Sequence, residues 1–213
     1  MAVRALLLDM DGVLVFSEEA WFAVYNETLV HFGHPPVSRE AFDRIYGNGT
    51  EADRQTYMRE RTVEEINAAY ACFFERHLGR IRPNAEAQAL LLEARARGIG
   101  TCVATNTTRP LAGRILALTG LLPLLDDVAA ADEAGAGKPD PAVLHLASAR
   151  LGVPLPDCLF VGDSRYDEEA ASRAPVAFVG YRYGDGERVA TLGELLPRLL
   201  VPAGSRNSRP GTA

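Results

Sequence analysis

Four short stretches of this chain bring together residue types that do chemistry. The first is Asp9-Met10-Asp11-Gly12. If its backbone is extended, residues two apart share a face, so both carboxylates point the same way. Gly12 then permits a tight turn. The second stretch is Thr105-Asn106, followed by Thr107-Thr108. It offers a hydroxyl and backbone N–H groups at a loop-to-helix entry, which suit an anion. The third is Gly137-Lys138-Pro139, and the fourth is Gly162-Asp163-Ser164 with Asp167 one helical turn on. Taken singly, each has an ordinary reading. Asp9 and Asp11 could be solvated strand-end carboxylates, and Thr105 and Asp163 could be helix caps.

Lys138 stands out against the composition. Of 22 basic residues it is the single lysine, in a chain that elsewhere uses arginine. A compact ammonium suits a place where a planar guanidinium does not fit.

The elements between these stretches explain how they converge. Apolar runs at 3–8, 99–104, 127–130, 158–161 and 176–179 are short and mostly not alternating, as strands buried on both faces of a parallel sheet read. Helical patterns cover 84–97, 109–119, 140–151 and 166–173. Gly98 and Gly152 follow two of them in the way of C-terminal glycines. The alternation predicts an α/β core, a Rossmann-like open parallel sheet. Ligands of such sheets bind beyond the carboxyl ends of the strands, where all four stretches lie.

Residues 17–80 break the rhythm and contain no convincing strand. A helix capped by Ser17 should run to about Phe32. More helices are expected over 38–46, 50–60 and 62–78, with Thr62 and Glu65 as a capping box. The expected organisation is a core of 1–16 and 81–200, a helical cap over 17–80, and a disordered tail over 201–213.

Composition narrows the function classes. Apolar residues make up 47% and charged residues 23%, ordinary for a protein with a buried core. The net charge of −6 argues against a nucleic-acid partner. No apolar run is long enough to span a bilayer, and no signal-peptide pattern opens the chain, so no membrane partner and a cytoplasmic location are expected. Cys72, Cys102 and Cys158 form no C-x-x-C pair, and Cys102 and Cys158 read as buried apolar residues. The pairs Asp126-Asp127 and Asp132-Glu133 read as solvated loop charges.

The order DxDG, apolar strand-Thr-Asn, GKPDP and GDSxxD resembles the haloacid dehalogenase superfamily. More narrowly, it is similar to the phosphoglycolate phosphatase and β-phosphoglucomutase branch, which carries a small helical cap after the first motif. The resemblance implies a magnesium-dependent phosphomonoester hydrolase acting on a small phosphorylated metabolite, as a monomer or homodimer. It implies Asp9 as nucleophile and Asp11 as general acid and base. Thr105, Asn106, Gly12 and Lys138 would bind the phosphate. Asp9, the Asp11 carbonyl and Asp163 would ligate Mg2+. Asp167 would ligate the metal or orient Asp163, and Ser164 would support from behind.

Departures within the family also inform. Asp11 argues against dehalogenation, because a halide leaving group needs no proton. The absence of a cap lysine argues against the Schiff-base phosphonatase chemistry. A phosphosugar mutase and a non-catalytic relative remain as alternatives. Substrate choice is expected from the cap loop Tyr46–Glu51, with Phe16, Ser17, Glu18 and Trp21 near the cleft. Trp21 reads as a core residue. Arg44 and Arg54 are candidates for a second anionic group.

Overall fold

The structure, a computed structural model, describes residues 3–199; the expected tail at 201–213 lies outside the described residues. In chain order the elements are β1 (Ala5–Leu8), β2 (Val15–Phe16), α1 (Glu18–His31), α2 (Arg39–Asp43), α3 (Thr50–Tyr57), α4 (Val63–Phe74) and β3 (Arg82–Pro83). They continue as α5 (Ala87–Ala96), β4 (Gly100–Thr105), α6 (Arg109–Leu118), β5 (Asp127–Ala130), α7 (Ala131–Ala134) and α8 (Ala142–Leu151). The last are β6 (Cys158–Gly162), α9 (Arg165–Ser172), β7 (Ala177–Tyr181) and β8 (Arg188–Val189).

Six strands form one parallel sheet in the order β5-β4-β1-β6-β7-β8. Its β1 strand explains the unbroken apolar run. Leu6 and Leu8 join one core cluster with Val103, Leu159 and Val161. Ala5 and Leu7 join a second cluster with Cys102, Ala104 and Phe160 on the other face. Both faces are covered, so no position in the strand is left for a polar residue. The chain leaves β1 for β4 on one side and later reaches β6 on the other, so a crevice opens at the carboxyl end of β1.

The helices α1 to α4 are inserted between β2 and β3, which pair antiparallel and tie the two crossings together. Asn84 reinforces this junction. Its Nδ2 donates to the Val13 carbonyl at 2.8 Å and to the Tyr181 hydroxyl at 3.1 Å, and its backbone N–H donates to the Leu14 carbonyl at 2.9 Å. The following helix therefore begins at Ala87, later than the sequence pattern suggested. The Thr62–Glu65 capping box is present at α4.

Three details differ from the sequence reading. Ser17 precedes α1 but makes no capping hydrogen bond, because its hydroxyl is committed to Asp11. Trp21 is half-buried, and its indole N–H points at the same carboxylate. The acidic pairs after β4 are more than solvated charges. Asp126 accepts the Thr101 N–H at 2.9 Å, Asp127 pairs with Arg109 at 2.9 Å, and Glu133 pairs with Arg150 at 2.8 Å. Cys102 and Cys158 are buried.

Candidate active site

All four motif stretches end at the crevice beyond β1. Asp9 directly follows β1, and its N–H donates to the Val161 carbonyl of β6 at 2.9 Å. Lys138 is 4% exposed, and its ammonium donates to Asp9 Oδ1 at 2.7 Å and to Asp167 Oδ1 at 2.6 Å. Such a buried ion pair is tolerated only when the ammonium finds several acceptors. Burial alone would lower the affinity of Lys138 for its proton, but the charges of Asp167 and Asp9 outweigh it and hold the pKa above the usual lysine range. The residue stays an ammonium. The same burial, then the Asp167 charge, pushes Asp9 well above the usual carboxylate range against the pull of Lys138.

Asp167 is fully occupied. Its Oδ1 faces Lys138, while its Oδ2 accepts the Ser164 N–H at 3.0 Å and the Ser164 hydroxyl. Ser164, not Asp163, caps α9, which leaves the Asp163 carboxylate for the crevice. Gly162 is required here, because a Cβ would meet the Asp167 Cβ at 2.3 Å.

Asp9, Asp163 and Asp167 each present one oxygen within 4.8 Å of the others. Three carboxylates around one ammonium leave negative charge uncompensated, and hard oxygen donors suit a divalent ion such as magnesium. Asp163 is pushed up to about 7 by burial first and by the Asp167 charge second, the behaviour of a carboxylate short of a cation. Gly12 makes room for it: a Cβ there would lie 1.8 Å from Asp163 Oδ2, and its φ of +86° suits glycine. The residues present therefore fit a metal between Asp9 and Asp163, with Asp167 behind them.

Asp11 is separate from this cluster. Its Oδ1 accepts from the Ser17 hydroxyl and from Trp21 Nε1 at 3.0 Å, and its Oδ2 accepts from the Thr107 hydroxyl at 2.9 Å. Burial raises its pKa and outweighs these three donors. The three donors fix the orientation of the carboxyl. The Asp11 side chain is thus turned away from the metal cluster, so a ligand from this residue would come from its carbonyl.

Asn106 does more than offer an N–H. Its Oδ1 accepts the Lys138 N–H at 2.7 Å, and its Nδ2 donates to the carbonyls of Lys138 at 2.9 Å and Gly47 at 3.0 Å. It clamps the lysine loop to the strand end and to the cap loop at once. Thr105 ends β4, and its hydroxyl accepts the Thr107 N–H at 3.1 Å.

These residues line one cavity of about 440 Å³ that runs up into the helical insertion. Asp9, Asp11, Thr105, Asn106, Lys138 and Asp163 line its floor. Tyr46, Gly47, Asn48 and Thr50 of the expected specificity loop line its upper part, whereas Glu51 turns outward to Arg54. Arg54 is therefore not a lining residue. Arg44 lines the cavity but is mostly exposed and paired with Glu40. Sequence reasoning missed Thr107 as a partner of Asp11. It also undervalued Ser17 and Trp21, whose i, i+4 spacing at the start of α1 is the signal that puts both on one face.

A family model for haloacid dehalogenase-like hydrolases matches residues 3–175. The chain belongs to this family. A phosphoglycolate phosphatase of Cupriavidus necator is 33% identical, over 93% of this chain and 94% of that protein. A subfamily IA hydrolase of the family from Geobacter sulfurreducens superposes with a TM-score of 0.74 at 25% identity, over 92% of this chain and 99% of the other. CbbY from Rhodobacter sphaeroides, solved in complex with phosphate, superposes with a TM-score of 0.80 at 24% identity, over 92% of this chain and 99% of the other. The chain is a phosphatase of this family with an α/β core and a helical cap.

Proposed function

We propose that this phosphatase hydrolyses a small phosphorylated metabolite through an aspartyl-phosphate on Asp9, with magnesium. The observation that carries the reading is the contrast between two carboxylates on one strand end. Asp9 lies against Lys138 within the acidic cluster, whereas the Asp11 carboxyl lies outside that cluster and is oriented by Ser17, Trp21 and Thr107.

Chemistry follows from that contrast. An Asp9 oxygen attacks phosphorus and a P–O ester bond breaks. Asp11 gives its proton to the departing oxygen. A water then loses a proton to Asp11 and attacks the phosphorus, the bond from Asp9 to phosphorus breaks, and inorganic phosphate leaves. Lys138 neutralises Asp9 and the incoming phosphate together. The Thr105 hydroxyl and the Asn106 N–H bind phosphate oxygens. Magnesium, held by Asp9, Asp163 and the Asp11 carbonyl, would offset the charge of nucleophile and phosphate and favour their approach. Residues 17–80 act as the cap that excludes water and selects the ester.

The test is phosphate release from p-nitrophenyl phosphate and a metabolite panel with magnesium present. Turnover is expected, and Asp9→Asn should lower it by about a thousandfold or more while the chain stays folded. Full turnover by Asp9→Asn would reject the assignment.

A further inference from the structure

The cap end of the cavity has its own chemistry. Asp53, on α3, is 7% exposed and lines it. Its Oδ2 accepts the Tyr70 hydroxyl at 3.0 Å, and among the described residues nothing donates to its Oδ1. Tyr25 is 3% exposed and lines the same space, and its hydroxyl has no hydrogen-bond partner among the described residues. A buried hydroxyl left unpaired costs free energy in the empty protein, and Asp53 Oδ1 beside it is free to accept. A core built for stability alone would place Phe and Asn or Leu at these positions.

The cations are elsewhere. Among the described lining residues, the basic ones are Lys138, Arg44 and Arg165. Lys138 is committed to the floor. The Arg44 guanidinium pairs with Glu40, and Arg165 stacks on Tyr166 and donates to its hydroxyl, both at the exposed rim. Asn67, next to Tyr70 in the lining, accepts from the Thr50 hydroxyl at 2.6 Å, so this end is neutral to acidic throughout.

We propose that Asp53, with the hydroxyls of Tyr25 and Tyr70, is the subsite for a hydrogen-bond-donating tail of the phosphate ester, a hydroxyl or an ammonium. An ester whose far end is a carboxylate or a second phosphate is disfavoured there, because it would face the Asp53 carboxyl with no free cation beside it. The proposal rests on the phosphatase reading and narrows it. It sets this chain apart from what the Cupriavidus relative's name says that protein hydrolyses.

The experiment compares kcat/KM within matched sets at fixed magnesium. One set is phosphoglycolate, ethylene glycol phosphate and ethanolamine phosphate, which differ only in carboxylate, hydroxyl or ammonium. The second is ribitol phosphate against its aldonate counterpart, for a longer reach. Donor tails should win in at least one set by about tenfold or more, and the first set separates hydroxyl from ammonium. Asp53→Asn supplies amide donors and should shift that ratio toward the carboxylate by about tenfold. Tyr25→Phe should raise KM for the preferred ester while leaving thermal stability equal or higher, since its hydroxyl has no partner to lose.

Equal or reversed preference in both sets, with p-nitrophenyl phosphate still hydrolysed, would overturn the subsite and leave the phosphatase reading standing. No release from any ester would sink both. A preference that survives Asp53→Asn and Tyr25→Phe unchanged would remove these residues from the subsite.

Discussion

Replacing Asp53 by asparagine isolates the free energy of burying a carboxyl under the cap. Burial raises the Asp53 pKa from 3.8 to about 7, only partly countered by the Tyr70 hydroxyl. A raised carboxyl pKa means the folded chain binds more protons than the unfolded one between these two values. Stability therefore falls as pH rises through that window and levels off above it. One pKa unit corresponds to about 1.4 kcal/mol, so the full penalty is about 4 kcal/mol above neutrality. The penalty is about 2 kcal/mol at about pH 5 and about 4 kcal/mol at about pH 8. The change between the two, about 2–3 kcal/mol, disappears in the variant.

The quantity to measure is the difference between variant and wild type at the two pH values, because other titrations and the fixed cost of the new amide cancel. Urea unfolding followed by Trp21 fluorescence is suited to it. Trp21 is the only tryptophan, and its ring packs edge-on to Tyr70 with centroids 5.6 Å apart. The variant should gain about 2–3 kcal/mol on wild type from low to high pH. Parallel curves, with a difference under about 0.5 kcal/mol, would refute the argument that the Asp53 carboxyl is desolvated.

Further outcomes follow from the site. Magnesium at about a hundred times its Kd should stabilise the protein by about 2.7 kcal/mol, a rise of roughly 5–10 °C in Tm. Asp163→Asn should lose most of that rise in a thermal melt. Gly12→Ala puts a Cβ 1.8 Å from Asp163 Oδ2 at a φ of +86°; the same magnesium shift should vanish, and stability should drop by about 1–2 kcal/mol from the backbone alone. Asp11→Asn should slow alkyl phosphates far more than p-nitrophenyl phosphate, by about a hundredfold in the ratio of kcat/KM, because only the poor leaving group needs the proton.

The core was legible because two-face burial leaves a distinct trace. The strands Ala5–Leu8 and Cys158–Gly162 carry no polar side chain, and the aspartate that follows each one marks the strand end. The lone lysine was legible for a chemical reason, since its ammonium sits buried between Asp9 and Asp167 and donates to both as a compact point charge. The cap was less readable. Ser17 looked like a helix cap because serine commonly is one, and nothing local says that a carboxylate six residues earlier has first claim on its hydroxyl. Asp53, Tyr25 and Tyr70 come from three different helices, and only their packing makes them one feature. Asn106 shows the same limit: its hold on Lys138 and Gly47 spans loops far apart in the chain.

Trapping the phosphoenzyme tests the central claim most directly. Wild-type protein is mixed with a turning-over phosphate ester and magnesium, quenched in acid within one turnover, digested and read by mass spectrometry. One phosphoryl group is expected on the peptide that contains Asp9, labile to hydroxylamine as an acyl phosphate is and missing from Asp9→Asn. Phosphate on any other residue, or direct hydrolysis with no covalent adduct and full turnover by Asp9→Asn, would contradict Asp9 as the nucleophile.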